Sequence, residues 1–282
     1  LKSTATGHSF EVRVAKETND ELGILSDGFN TMMAELGKYD AELKRQRRES
    51  IEARHLTIFA LAKLAGKRNE ETGQHLERIR TYARIVTAQL VEQPEFRGQL
   101  DPELVDMVYH TSPLHDIGKV GIPDTILQKP GPLTPEEFDT MKKHTLIGAD
   151  AIEAALARYP QVEYLRMARD IALTHHEWYD GTGYPRGLRG EQIPLCGRIV
   201  ALADAYDALT SRRVYKPAFS VEEARECILA QSGKQFDPRV VAAFVQCEEG
   251  LLSAFERLGD GPEEAAAAFR RTLDFPEPVA LG

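Results

Sequence analysis

LGILSDGFNTMMAELGKYDAEL, residues 22–43, places apolar side chains at Leu22, Leu25, Phe29, Met32, Leu36, Tyr39 and Leu43, in alternating steps of three and four. That spacing keeps one narrow stripe on one side of a helix, the seam of a parallel coiled coil, whereas a packed amphipathic helix needs a wider stripe. An ordinary surface helix is the competing reading. Beyond Leu43 the seam positions become Gln46 and Ser50, inside the charged stretch KRQRRES, and the apolar seam fades. Downstream of residue 50 the pattern stays helical almost throughout, and no alternating strand pattern of useful length occurs. Asp101-Pro102, Thr134-Pro135 and Asp237-Pro238 each set a capping side chain before a proline, the arrangement of helix starts. Thr134 with Glu137, and Ser220 with Glu223, fit the capping box. His144 is expected inside the helix that begins at Thr134. The fold class is all-α.

With 42% hydrophobic and 28% charged residues in a chain of 282, the sequence can bury a real core. Its 44 acidic and 35 basic side chains give a net charge of -9, which argues against a protein that coats nucleic acid, so no nucleic acid polymer is expected as a partner. Any anionic ligand must be drawn by local charge. Cys196, Cys227 and Cys247 lie far apart with neither paired nor zinc-like spacing, which favours a reducing compartment and buried, unbridged thiols. No run approaches the roughly 18 apolar residues of a membrane span. The chain opens on Leu1, from which an upstream part is expected.

Five of the eight histidines are candidates, and four of them fall in compact motifs that also hold carboxylates. In ETGQHLER, Glu71 and His75 are four apart, so a helix projects both from one face, where they can chelate a common ion or make an ordinary surface contact. HDIGK offers His115 and Asp116, one nitrogen and one carboxylate, side by side. His144 stands alone. HHEWYDGTGYP opens with His175 and His176, and burying two imidazoles without partners would cost several kcal/mol, on the order of a lost polar solvation shell each. Asp204 in RIVALADAYDAL is an acid inside an otherwise apolar helix face; it either points to solvent or, facing inward, needs a cation or strong donors. Imidazoles and carboxylates without thiolates suit iron, manganese, zinc or nickel.

These motifs, in the order ETGQH, HDIGK, His144, HHEWYDGTGYP and ADAYDALTSRRVYK, with QFDPRVV closing the run, resemble an HD-GYP phosphodiesterase of the HD metallohydrolase superfamily. The likeness spans about residues 50 to 248, with Thr145 standing where the family often has proline. It implies that His75, His115, Asp116, His144, His175, His176 and Asp204 are metal ligands and that Asp116 bridges two ions. Glu71 resembles the glutamate of members that hold a third. Two or three divalent ions, iron or manganese, are thus implied, with cyclic di-GMP as substrate, cut to pGpG and, at a trinuclear site, on to GMP. Asp116 and Lys119 would act in catalysis. Tyr184, Arg213 and Lys216 would bind substrate, although a plain loop and a solvated helix explain those three equally well without the likeness. The glycines Gly181 and Gly183 permit a tight path beside Tyr184. The GYP loop implies a second use, docking diguanylate cyclase domains, and Trp178 and Tyr179 could serve either use or simply pack. Another metal-dependent phosphohydrolase, acting on a different cyclic dinucleotide or a nucleotide, and a non-catalytic interaction module are the alternatives.

The segment EVRVAKETNDELGILSDGFNTMMAEL, through its DELG and FN-x-M elements, resembles the connector and second helix of a HAMP domain. That likeness implies a homodimer through HAMP and signalling helix, and the soluble cytoplasmic portion of an inner-membrane receptor. The expected organisation is a partial HAMP domain over 1–38, a signalling helix over 39–58, the HD-GYP domain over 59–248 and a C-terminal tail over 249–282.

Overall fold

The computed structural model describes residues 10–69, 73–93, 96, 100–211 and 219–258. Among them are eleven α-helices and no strand: α1 Glu21–Gly66, α2 Gly73–Glu92, α3 Glu103–Thr111, α4 Asp124–Leu127, α5 Pro135–Met141, α6 His144–Arg158, α7 Glu163–Thr174, α8 Leu195–Thr210, α9 Val221–Ala230, α10 Pro238–Gln246 and α11 Glu248–Leu258. The all-α expectation holds. No helix among the described residues is long and apolar enough to cross a membrane. The chain divides into two compact units, residues 1–57 and 58–282.

In the first unit the seam lies on α1, and Leu22, Leu25, Met32, Leu36, Tyr39 and Leu43 are all exposed. The segment before the helix folds back along it. Asn30, from the FN-x-M element, accepts from the Val14 N–H and donates to the Val14 carbonyl, both at 2.8 Å. Lys16 pairs with Asp27 one turn away.

In the second unit α2 is the central element and packs against α3, α8, α10 and α11. Ile79, Ala83, Val86 and Leu90 recur at helical spacing and are fully buried, each removing its side chain from water for about 1–3 kcal/mol. Tyr82, Tyr206 and Phe244 meet edge to face at 5.1 and 5.3 Å where α2, α8 and α10 converge. A second cluster joins Ala62, near the end of α1, to Leu76, Leu114, Ile152, Leu156, Ala168 and Ala172. Beyond residue 248 the chain continues as α11, which buries Leu251 and Ala254 against the larger cluster. Cys196 is buried, Cys227 and Cys247 half-buried, and all three are free thiols.

The caps follow the sequence. Thr134 and Ser220 each form the reciprocal capping box with Glu137 and Glu223. Asp101 accepts from Glu103 N at 2.9 Å. His144 departs from expectation, because the helix begun at Thr134 stops at Met141 and His144 opens a separate helix, α6. The break has a cause in the side chains: His144 Nδ1 takes the Met141 carbonyl at 2.8 Å, and the Thr145 hydroxyl donates to the Lys142 carbonyl at 2.9 Å. Both carbonyls are thereby satisfied without the next helical turn.

Asp237 caps α10 through Arg239 N at 2.8 Å and also accepts from the Arg198 and Arg239 guanidinium groups. Burial opposes its ionisation, but the bonds from Arg239 and Arg198 hold its carboxyl below the ordinary range. Because the folded value is the lower one, its stabilisation is complete above the unfolded carboxylate pKa of about 3.9 and is lost as pH falls through the folded value. Asp237→Ala, which strands a buried guanidinium, is expected to cost about 3 kcal/mol in urea unfolding at pH 7. That deficit should shrink in acid.

Candidate metal centre

Four of the implicated imidazoles are fixed from behind. His115 Nδ1 faces the Ser112 carbonyl at 2.9 Å, His144 Nδ1 the Met141 carbonyl at 2.8 Å and His175 Nδ1 the Ile171 carbonyl at 3.0 Å. A carbonyl can only accept, so each Nδ1 donates to it and each Nε2 is turned inward, where a neutral ring offers its lone pair. His75 Nδ1 does the same toward a carboxylate, Asp207 Oδ2, at 2.6 Å. Local structure sets these bonds: His115 follows a 3₁₀ turn Ser112–Leu114, His175 ends α7, and His144 starts α6.

The lone pairs converge. Asp116, His144, His175 and His176 form one group, and His75, His115 and Asp204 a second, each with donor atoms lying within 4.8 Å of one another. Asp116 lies at the junction, its Oδ1 3.1 Å from His144 Nε2 and 3.6 Å from His175 Nε2, its Oδ2 3.3 Å from His115 Nε2. His144 Nε2 and His175 Nε2 are 3.4 Å apart. His115, His144 and His175 are at most 2% exposed. Burial, opposed by a bond to Asp116, lowers the pKa of His175, and burial with the neighbouring His175 carries His176 well below the ordinary imidazole value. Ring nitrogens aimed at one another and at a buried carboxylate oxygen form a polar lining that a bound cation would satisfy. The donor set, nitrogen and carboxylate oxygen without sulfur, therefore fits divalent metal ions.

Asp116 is ionised. Burial opposes this, but Lys119, whose Nζ is 2.5 Å from Oδ2, and His115 keep it well below the usual carboxylate range. Lys119 lies on a 3₁₀ turn, Ile117–Gly121, packed against α6. Close approach there requires Gly118: a Cβ would lie 1.9 Å from the His144 carbonyl oxygen.

Tyr184 stacks on His176 with ring centroids 4.8 Å apart and donates its N–H to the His176 carbonyl at 3.1 Å. The Phe138 ring meets it edge-on at 6.1 Å. Gly181 has φ +85, and a Cβ on Gly183 would meet Trp178 N at 2.2 Å, so both glycines of the loop are used as expected. The Tyr184-Pro185 peptide is cis. Trp178 is exposed, whereas the Tyr179 N–H bonds to the Gln235 carbonyl at 3.1 Å.

Of the side chains named from the motifs, His75, His115, Asp116, His144, His175, His176 and Asp204 come together, with Lys119 and Tyr184 beside them. Glu71, Arg213 and Lys216 lie outside the described residues. Sequence reading missed three supporting groups: Arg78 and Asp207, which back His75, and Glu177, which is buried and accepts from the N–H groups of Arg186 at 2.7 Å and Leu188 at 2.9 Å to hold the Tyr184 loop. Arg78 and Asp207 each lie one helical turn beyond a candidate ligand, at i+3 from His75 and Asp204, the one signal that could have flagged them.

The second unit is all-helical with histidine–aspartate donors at its heart, and the model of the HD domain family matches residues 60–240. The chain belongs to that family. It is 46% identical over 248 residues to a cyclic di-GMP phosphodiesterase of Vibrio cholerae serotype O1, covering 88% of this chain and 49% of that one. It is 42% identical over 197 residues to a cyclic di-GMP phosphodiesterase of Thermotoga maritima, covering 70% and 50%. A 3'3'-cGAMP-specific phosphodiesterase 2 of Vibrio cholerae is 40% identical over 203 residues, covering 72% and 36%. The chain spans about half the length of the first two relatives.

Gly118→Ala should push the start of α6, and with it His144, away from Asp116. A loss of about 2 kcal/mol in chemical unfolding, with weaker Mn(II) binding by equilibrium dialysis, is the expected result.

Proposed function

We propose that the chain is a metal-dependent phosphodiesterase that hydrolyses cyclic di-GMP to pGpG and, if a third ion is held with Glu71, on to GMP. The observation that carries this reading is Asp116, whose two carboxylate oxygens face two adjoining sets of donors. The metal ligands on this reading are Glu71, His75, His115, Asp116, His144, His175, His176 and Asp204, holding two or three ions of iron or manganese. Such ions, when bound, supply a hydroxide at neutral pH and a positive clamp for phosphate oxygens.

The remaining work falls to the chain's own groups. Asp116 anchors Lys119 at 2.5 Å, so a partly exposed cation stands beside the donor cluster, where it can meet a phosphate. Tyr184, held against His176, offers a ring face to a guanine or a hydroxyl to a phosphate. Arg213 and Lys216 are assigned to the substrate's other phosphate. Local cations of this kind reconcile an anionic substrate with a net charge of -9.

The exposed leucines of the α1 seam support a homodimer through that helix. With the HAMP-like segment before it, the chain is read as the cytoplasmic portion of an inner-membrane receptor, and the GYP loop as a docking point for diguanylate cyclase domains. The relative named 3'3'-cGAMP-specific, at 40% identity, favours one second reading, in which the hybrid dinucleotide is the substrate.

Protein loaded anaerobically with iron or manganese is expected to linearise cyclic di-GMP faster than 3'3'-cGAMP when products are separated by chromatography, and His115→Ala should abolish turnover. Faster cleavage of the hybrid would select the second reading. No product from either, with ions bound, would rule out both.

A further inference from the structure

His75 differs from the other three back-bonded histidines in what stands behind it. His115, His144 and His175 lean on neutral backbone carbonyls, whereas the partner of His75 Nδ1 is the carboxylate of Asp207 on α8, 1% exposed. Asp207 is itself gripped by Arg78, 3% exposed, whose Nε donates to Oδ1 at 2.5 Å and whose Nη2 donates to Oδ2 at 3.2 Å. The Ser211 hydroxyl donates to Oδ2 at 3.3 Å and accepts from Arg78 Nη2 at 2.9 Å. Arg78 is one turn past His75 on α2, and Asp207 one turn past Asp204 on α8, so one interhelical contact fixes both helices beside the same donor group.

A buried Arg–carboxylate pair satisfies itself when its bonds are bidentate, so stability alone does not require His75 to share Oδ2. The sharing has a chemical effect. An anionic acceptor at Nδ1 locks the ring's tautomer and orientation and makes Nε2 a stronger donor than a carbonyl-backed imidazole. We propose that Asp207, held by Arg78, is a positioning residue that strengthens His75 and thereby sets the metal affinity of the His75, His115 and Asp204 group separately from that of the Asp116, His144, His175 and His176 group.

The inference rests on the reading of these groups as metal sites. Its test is Mn(II) titration of the full chain followed by electron paramagnetic resonance of the free ion, wild type against Asp207→Asn. The amide oxygen so introduced can still accept from His75, but without the charge. The variant should bind about one ion fewer per chain at micromolar Mn(II), or bind its weakest ion roughly 10–100-fold less tightly, with the other ion unaffected. Should Asp207→Asn fail to fold by circular dichroism, Arg78→Lys provides the same comparison, since lysine keeps the charge but releases the bidentate grip. Asp207→Glu should restore part of the lost affinity. A folded variant with wild-type stoichiometry and affinity overturns this inference alone. A wild-type chain that binds no Mn(II) overturns the metal-centre reading as well.

Discussion

Two imidazole nitrogens 3.4 Å apart, both aimed at one oxygen of a buried aspartate, are the arrangement on which the rest of this structure turns. It exists because backbone carbonyls behind His144 and His175 accept from the opposite nitrogen of each ring and turn Nε2 inward. Breaking any of those carbonyl bonds would free a ring to rotate and relieve the crowding. Four such bonds, three to the backbone and one to Asp207, keep the donors aimed before any ion arrives, so binding has little conformational entropy left to remove.

The fold supplies this arrangement by packing helix ends rather than helix faces. α6 begins, α7 ends, and the 3₁₀ turns around His115 and Asp116 interrupt the chain at one place, where carbonyls at helix ends can each accept a second bond from an imidazole. Between them run α2 and α8, joined through Tyr82 and Tyr206 on one side and through Arg78 and Asp207 nearer the site. The rigid apolar core thus lies one helical turn from a polar cluster, which keeps water away and strengthens each electrostatic contact within it.

Much of this was legible beforehand. Heptad spacing at Leu22–Leu43, proline-marked caps at Thr134 and Asp237, and the absence of strand alternation carried the all-helical reading, because these are local signals that tertiary contacts seldom reverse. The seven described donors were legible too, as motifs whose order resembles one family. What escaped was contact between elements distant in sequence. Asp207 was marked only by lying three positions past Asp204, and its partners, 129 and 132 positions away, leave no local trace. Glu177 read as part of a loop motif, though it organises that loop from beneath. The break at Met141 was missed because its cause, a histidine side chain taking a backbone carbonyl, depends on where His144 must point.

Two adjoining groups of donors, with Asp116 between them, are proposed to hold one ion each. Anomalous diffraction from crystals grown with Mn(II), collected on both sides of the manganese edge, tests it directly. The account predicts one peak among Asp116, His144, His175 and His176 and a second among His75, His115 and Asp204, with the Asp116 carboxylate reaching both. Well-ordered crystals showing no peak at either position, or a single one remote from Asp116, would contradict it.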